Sequence, residues 1–475
     1  MTELKAAVAE IAEQFAVSQE KLQQGVDLFI ELADRGLASD EDVHGLPMIP
    51  TYVNTIPTGS ERGIYLAADL GGTNFRVCSV TLAGDHTFKL VQSKNPIPVD
   101  LMSGSGEELF SYLASKVASF VTEHHEAKET DEKSKFKLGF TFSFPVTQSS
   151  LNSGTLLRWT KGFDIPDLVG KDIVSVFQGQ LDKQNVPVDV VALANDTVGT
   201  LLSRAYSSGA VAGGKQGDTL IGAIFGTGTN GAYPEDIDNI KKLPADVVKS
   251  LKAKGVTQMV VNTEWGSFDN KLQVLPNSKY DVAVDALTSN KGYHMFEKRV
   301  SGMFLGEILR QILIDFHQKG LILRQYPTFD KLPHRLRTPW ELDSEVLSLM
   351  EIDDSSSLKA TELTLKQNLR LPTTEEERLA IQDLTRAISK RAAYLAAIPL
   401  AGILVKTGAF EKGVHKEIDV GVDGSVVEFY PGFRAMMRDA LALTQIGDKG
   451  ERRLHINIAK DGSGVGAALC ALDGA

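Results

Sequence analysis

Two stretches of this chain repeat one pattern. Residues 64–74 read IYLAADLGGTN and residues 220–231 read LIGAIFGTGTNG, with the glycine turns 155 residues apart. Each is an apolar strand running into a glycine turn that carries Thr and Asn. Such a unit placed once in each half predicts two related lobes facing each other across a cleft. The length agrees, because 475 residues are too many for one core.

The balance of 50 basic against 61 acidic residues gives a net charge of −11. That surface repels phosphate backbones and anionic lipid, so neither a nucleic-acid nor a membrane partner is expected. Two cysteines, Cys78 and Cys470, are too few for a disulfide framework. Both sit in apolar runs and are expected as buried free thiols of a reducing compartment. The start, MTELKAAVAEIAEQF, alternates charged and apolar residues, unlike a signal peptide or an apolar anchor. No run of about 18 apolar residues occurs elsewhere. The expected location is the cytoplasm.

Residues 2–37 carry apolar side chains at helical spacing (Val8, Ile11, Phe15, then Val26, Phe29, Ile30, Leu32), predicting one or two amphipathic helices. Residues 107–121, 301–319 and 374–397 read as helices, the last opened by Thr373 or Thr374 as cap with three Glu in its first turn. Strands are predicted from Ile64 onward, at 138–144 and at 188–194. The segments 122–137 and 207–218 read as solvated connections, and the chain closes on a small-residue helix, GVGAALCAL. Strands interleaved with helices make this an α/β chain.

Glycine turns after strands cradle phosphates, because backbone N–H groups without a Cβ approach the oxygens closely. A P-loop is excluded, since Gly214-Lys215 is followed by Gln216, which lacks the magnesium-binding hydroxyl. GTGTNG at 226–231 matches a dinucleotide fingerprint, but AYPEDIDN follows where a helix must begin, which argues against a nicotinamide oxidoreductase. Two phosphate loops facing one cleft remain, as does the plain alternative that each is a hairpin turn.

Polar residues suited to a hexose lie between and beyond the turns. Asn195 and Asp196 end the apolar strand VVALAND, although Asp196 would also serve as a helix cap. Glu264 follows a second apolar run, and Glu297 opens a helix but alone looks like a surface acid. Lys161, between Trp159 and Phe163, either reaches the cleft or covers apolar surface.

LGFTFSFPVTQSSLNSGTLLRWTKGFDIP (138–166) closely resembles the hexokinase signature. LAADLGGTNFRV, VALANDTVGT, IFGTGTNGAY, EWGSFDN, GVDGSVVEFYPGFR and DGSGVGAAL follow that family's order, so the resemblance spans the chain from about residue 20. Trp265 and the C-terminal IAKDGSGVGAALCAL make it most similar to the yeast-type fungal glucokinases.

The resemblance implies a two-lobed, actin-like ATPase fold whose cleft holds ATP and glucose. It implies that Asp196, assisted by Lys161, is the catalytic base for the sugar 6-hydroxyl. Ser143, Phe144, Thr160, Lys161, Asn195, Asn230, Glu264 and Glu297 would hold the sugar, Glu297 near carbons 1 and 2 and Glu264 near carbon 4. Asp69, Gly71, Gly72, Thr73, Asn74 and Arg76 would face the β- and γ-phosphates, with Gly226, Thr227 and Gly228 opposite. The segment 421–426, including Gly421, Asp423, Gly424 and Ser425, would line the adenosine pocket, with Gly462 and Ser463 on the inner edge. Magnesium would arrive with ATP, near Asp69 and Asp196, without protein ligands of its own. The small lobe would comprise 60–194 plus 459–475, and the large lobe 1–59 plus 195–458.

The expected function is ATP-dependent phosphorylation of glucose, the first step of glycolysis, with the lobes closing on the sugar. A broad hexokinase acting also on fructose and mannose is the near alternative. A non-catalytic sugar sensor is the remote one, disfavoured because Asp196 and both glycine turns are kept. The sequence leaves monomer and homodimer equally open.

Overall fold

The two echoing segments fold as hairpins, each the start of its own sheet. A computed structural model of the chain describes residues 2–41, 45–72, 74–125, 135–159, 162–210, 217–411 and 413–474. Its strands are β1 (Ile49–Pro50), β2 (Arg62–Leu70), β3 (Asn74–Ala83), β4 (Phe88–Pro96), β5 (Phe136–Phe142), β6 (Val146–Ser150), β7 (Ser153–Leu156), β8 (Val188–Ala194), β9 (Asp218–Phe225), β10 (Thr229–Asp236), β11 (Gln258–Asn262), β12 (Ile418–Asp423) and β13 (Leu454–Ile458).

One sheet runs β4-β3-β2-β5-β8 and the other β11-β10-β9-β12-β13, with β1 added at the β11 edge. In both, the first three strands in sequence pair antiparallel and the last two join in parallel. The two units therefore share strand order and direction, as the repeated strand-turn pattern predicts. The remaining pair, β6 and β7, forms a separate hairpin.

Helices α1 (Glu3–Phe15) and α2 (Gln19–Ala38) are capped by Thr2 and Ser18 and bury Leu4, Val8, Ile11, Phe15, Leu22, Val26, Phe29 and Leu32. α3 (Gly106–His124) and α4 (Ile173–Lys183) cover the first sheet, where Phe75, Phe110, Phe140 and Phe177 meet in one aromatic cluster. The helix Glu375–Lys406 opens with a Thr374/Glu377 capping box and runs past the expected end. It is long and apolar enough to cross a membrane, but 83% of its apolar window is buried inside the protein, so it serves as the core helix of the second unit. Cys78 and Cys470 are buried free thiols, as expected. Parts of the connections expected at 122–137 and 207–218, residues 126–134 and 211–216, lie outside the described residues.

α5 (Asp196–Ser207) leaves the end of β8 in the first sheet yet packs on β9, β10 and β12 of the second. Arg204 fixes it there: Nε and Nη2 donate to Asp419 at 2.8 and 2.7 Å, and Asp419 also accepts from Thr219 and Asn457. All three neighbours of this buried carboxylate donate, which offsets the desolvation that an isolated charge would suffer. The C-terminal helical turns, 462–470, return to pack on α5, β2, β5 and β8. The chain thus crosses between the sheets at α5 and again after β13.

Candidate active site

β2, β5 and β8 run parallel, and their register sets Asp69 beside Thr141 and Thr141 beside Ala194. Asp69, Ser143 and the pair Asn195–Asp196 therefore leave the first sheet at one edge, on strands about 4.8 Å apart. Carboxyl ends of parallel strands are where open α/β sheets bind ligands. A methyl group on Gly71 would lie 3.5 Å from Asp69 Oδ1 and 3.9 Å from Ser143 Oγ, so the glycine turn and both side chains meet at one point. The capping role falls to Asn195, whose Oδ1 accepts from Thr197 N at 2.9 Å. Asp196 is the first residue of α5 and half-buried, with Oδ1 accepting from the same N–H at 2.9 Å.

Arg76 spans this edge. Its Nη1 donates to Asp461 Oδ1 at 2.8 Å, its Nη2 donates to Ser463 Oγ, and Asp69 Oδ2 lies 3.5 Å away. Asp461 adopts the left-handed conformation, with φ 49°, that aims it at the guanidinium. Thr141 Oγ1 donates to the Ser463 carbonyl at 3.0 Å. The C-terminal loop is thereby bound to β3 and β5.

The second sheet presents a different edge. Asn230 Nδ2 donates to Asn262 Oδ1 at 2.8 Å and to Glu264 Oε1 at 3.2 Å, and Asn262 Nδ2 donates to the same Glu264 oxygen at 2.8 Å. Glu264 itself has φ 52°, an uncommon conformation for a residue with a side chain and one that marks functional sites. Burial pushes its carboxyl up from the usual carboxylate range, and the charge of Glu297 adds to this; Asn262, His294 and Asn230 oppose it. Glu297 Oε2 accepts from Thr229 N at 3.0 Å, and His294 Nδ1 lies 3.2 Å from Glu297 Oε1. Beneath them the fully buried Trp265 donates from Nε1 to Thr229 Oγ1 at 2.9 Å and stacks on Phe225. Position 231 must be glycine, since a Cβ there would lie 2.1 Å from the indole.

The turn 226–228 closes β9 on β10, with Gly226 N donating to the Gly228 carbonyl at 2.9 Å. Because β10 follows the turn, GTGTNG does not open a helix, in line with the rejection of the dinucleotide reading. A third glycine turn, at Gly424, abuts it. Gly424 has φ 111°, and a Cβ there would lie 2.5 Å from the Phe225 carbonyl group. Asp423 Oδ1 accepts from Gly424 N at 2.6 Å, and Ser425 is exposed at the head of the short helix Ser425–Phe429. Thr227 is exposed at the 226–228 turn.

Some expected contacts take another place. Phe144 is only 6% exposed and packs among Phe142, Trp159 and Phe163, so its ring supports the site from within the core. Gly421 is buried inside β12, where a Cβ would lie 2.5 Å from Arg204 Cβ. It gives α5 room to pack on the sheet and does not line a pocket. Gly462 is likewise buried, against Thr200 of α5, and leaves Ser463 as the polar member of that pair. Gly72 and Asn74 flank the first turn, while Thr73, Thr160 and Lys161 lie outside the described residues. Asn262, Thr229 and His294 escaped the sequence reading, while Asp461 opens the DGSG motif expected at the inner edge of the cleft. Asn262 sits two residues before Glu264, and His294 three before Glu297; both spacings were visible signals.

Two sheets of matching strand order, one ending in a glycine turn beside Asp69, Ser143 and Asp196 and the other in an amide-and-acid edge, define a two-lobed kinase fold. Two consecutive family models, both described as Hexokinase, match residues 7–206 and 220–473. The chain belongs to the hexokinase family. It is 56% identical to Glucokinase-1 of Saccharomyces cerevisiae, over 98% of this chain and 96% of that one. It is 48% identical to Glucokinase of Aspergillus niger (98% and 96%) and 39% identical to Hexokinase-1 of S. cerevisiae (99% and 92%). Among solved structures, a hexokinase from Schistosoma mansoni complexed with glucose superposes with a TM-score of 0.81 at 35% identity, covering 99% of this chain and 98% of that one.

Proposed function

We propose that this enzyme is a glucokinase, transferring the terminal phosphate of ATP to the 6-hydroxyl of glucose. The observation that carries the reading is the amide-and-acid edge, where Asn230, Asn262, Glu264, Thr229 and Glu297 hold one another in place. A hexose needs paired acceptors around its ring, and groups fixed beforehand lose little freedom on binding it. The glucose named with the S. mansoni hexokinase and the glucokinase names of the fungal relatives support the same choice.

Phosphoryl transfer asks a protein for alignment and charge stabilisation, with one base for the acceptor. Asp196 at the end of β8 is that base: its carboxylate orients the 6-hydroxyl and takes its proton as the oxygen attacks phosphorus. Backbone N–H groups of the turns at Gly71 and Gly226 would cradle the phosphates, and Ser425 would border the nucleoside. Arg76, already paired with two carboxylates, acts by holding the turn and the C-terminal loop together. Magnesium would ride on the ATP phosphates, with Asp69 and Asp196 nearby as hard oxygen groups that suit it. The ion would draw off charge from the phosphates.

We take the lobes as 60–194 with 459–475, and 1–59 with 195–458, closing on the sugar and so excluding water as a competing acceptor. The cytoplasm, where the free thiols Cys78 and Cys470 stay reduced, is part of the same reading. A coupled assay over a hexose panel tests it. A kcat/KM ratio for glucose over fructose above about 10² is expected, which requires about 2.7 kcal/mol of differential transition-state binding. A ratio below about ten replaces glucokinase with the broad hexokinase reading.

A further inference from the structure

Glu297 has two carboxylate oxygens, and each already has a protein partner. Oε2 accepts from the backbone of Thr229 at 3.0 Å, and Oε1 faces His294 Nδ1 at 3.2 Å. A carboxylate only accepts, so Nδ1 is the protonated nitrogen of His294 in this contact. With a fixed donor on each oxygen the carboxylate cannot turn about its last torsion, and its remaining lone pairs point in set directions. There is no slack beside it: a Cβ on Gly228 would lie 2.7 Å from Oε2, and one on Gly266 3.5 Å.

The loop that carries His294 is itself built in place. His294 has φ 55°, and its ring lies 4.7 Å from that of Tyr293. The buried Lys298 donates to Asp285 Oδ1 at 2.7 Å and to the Asn290 carbonyl at 2.8 Å, while Gly292 N donates to both oxygens of Asp285. Met295 N donates to Asn270 at 3.1 Å. The imidazole is thus presented to Glu297 by a tethered loop.

We propose that His294 is a positioning residue for sugar recognition: its Nδ1–H fixes Glu297 so that this carboxylate meets one hydroxyl of the pyranose ring. The inference rests on the glucose-kinase reading above. It predicts that His294→Leu, which keeps bulk and removes the donor, raises the glucose KM about tenfold, or about 1.4 kcal/mol. In the same variant kcat should fall less than about threefold, because binding is lost alike from ground and transition states. His294→Asn places an amide N–H near the Nδ1 position and should restore KM to within about twofold of wild type. A set of monodeoxy-glucoses locates the effect. The analogue lacking the hydroxyl held by Glu297 should be indifferent to His294→Leu, while the others suffer as glucose does.

Thermal unfolding of both variants is measured alongside. An Asn variant as impaired as the Leu variant, at equal melting temperature, overturns the proposal, as does a Leu variant with unchanged KM. Equal losses across every deoxy analogue also overturn it. A wild-type enzyme that fails to phosphorylate glucose overturns the glucokinase reading instead, and this inference with it.

Discussion

The two sheets share strand order, direction and a glycine turn between their first two strands, yet their ligand edges carry opposite chemistry. The first edge gathers Asp69, Ser143, Asp196 and a guanidinium that is shared among neighbours. The second gathers amides and acids bound to one another, one of them in a left-handed backbone conformation. A common frame thus delivers positions, and the residues at strand ends decide what each edge contributes, the base at the first and the amide-and-acid network at the second. The frames also differ in mass. The second carries α1, α2 and the core helix Glu375–Lys406, while the first is covered mainly by α3 and α4.

If that division holds, damage to the first edge should appear in turnover and damage to the second in sugar affinity. The largest effect is expected at Asp196. Asp196→Asn keeps the shape but removes the base, so kcat should fall by about 10² to 10⁴ with the glucose KM much less affected. Steady-state kinetics read both numbers at once. An Asn variant keeping a tenth of wild-type turnover would place the base elsewhere and break the contrast between the edges.

Next in size is the anchor of α5. Arg204 and Asp419 are 7% and 0% exposed at their side chains, whereas Arg76 is 22% exposed. Arg204→Met leaves a buried carboxylate without its cation and should cost about 3–5 kcal/mol of stability. Arg76→Met breaks a screened pair and should cost about 1 kcal/mol or less, while weakening the site. Chemical unfolding of the two variants compares a structural ion pair with one at the ligand edge. Equal losses would mean that Arg76 holds the fold as much as it holds the turn.

The frame was far more legible in the sequence than the edges were. IYLAADLGGTN and LIGAIFGTGTNG announced both hairpins, since strand periodicity and glycine turns are local signals. The same locality explains the misplacements. Phe144 stands next to Ser143 in sequence, but alternation along the chain turns its ring into the aromatic core. Gly421 was placed at the adenosine pocket by the resemblance, and its reason is α5 pressing on the strand from far along the chain, which no local pattern records. Asp461 reaches Arg76 across 385 positions of sequence. Asn262 and His294 were local enough to see, but only the register of β10 with β11 shows that Asn262 stands opposite Ala232, beside Asn230.

The smallest effect sharpens the comparison most, because it sets stability against function at one residue. Burial raises the carboxyl of Glu264, so its charged form is disfavoured in the folded protein relative to the unfolded chain. The sign follows from proton binding. Between the unfolded and the raised folded value, the native state holds more protons, so stability falls as pH rises through that window. Above the window the full cost of the buried charge persists; below it both states are protonated and the cost is gone. Glu264→Gln keeps an oxygen to accept from Asn262 and Asn230 but cannot ionise. It should therefore melt at a higher temperature than wild type at about pH 8, with the advantage shrinking toward about pH 4, where free carboxyls near 4.3 are protonated. Its glucose KM should rise, since a neutral amide is a weaker acceptor than a carboxylate for sugar hydroxyls. Melting curves across pH, with KM at one pH, test both halves. A Gln variant less stable than wild type at every pH would mean that the strained Glu264 backbone depends on the charge, and the second edge would then be held by electrostatics and not by its amide network.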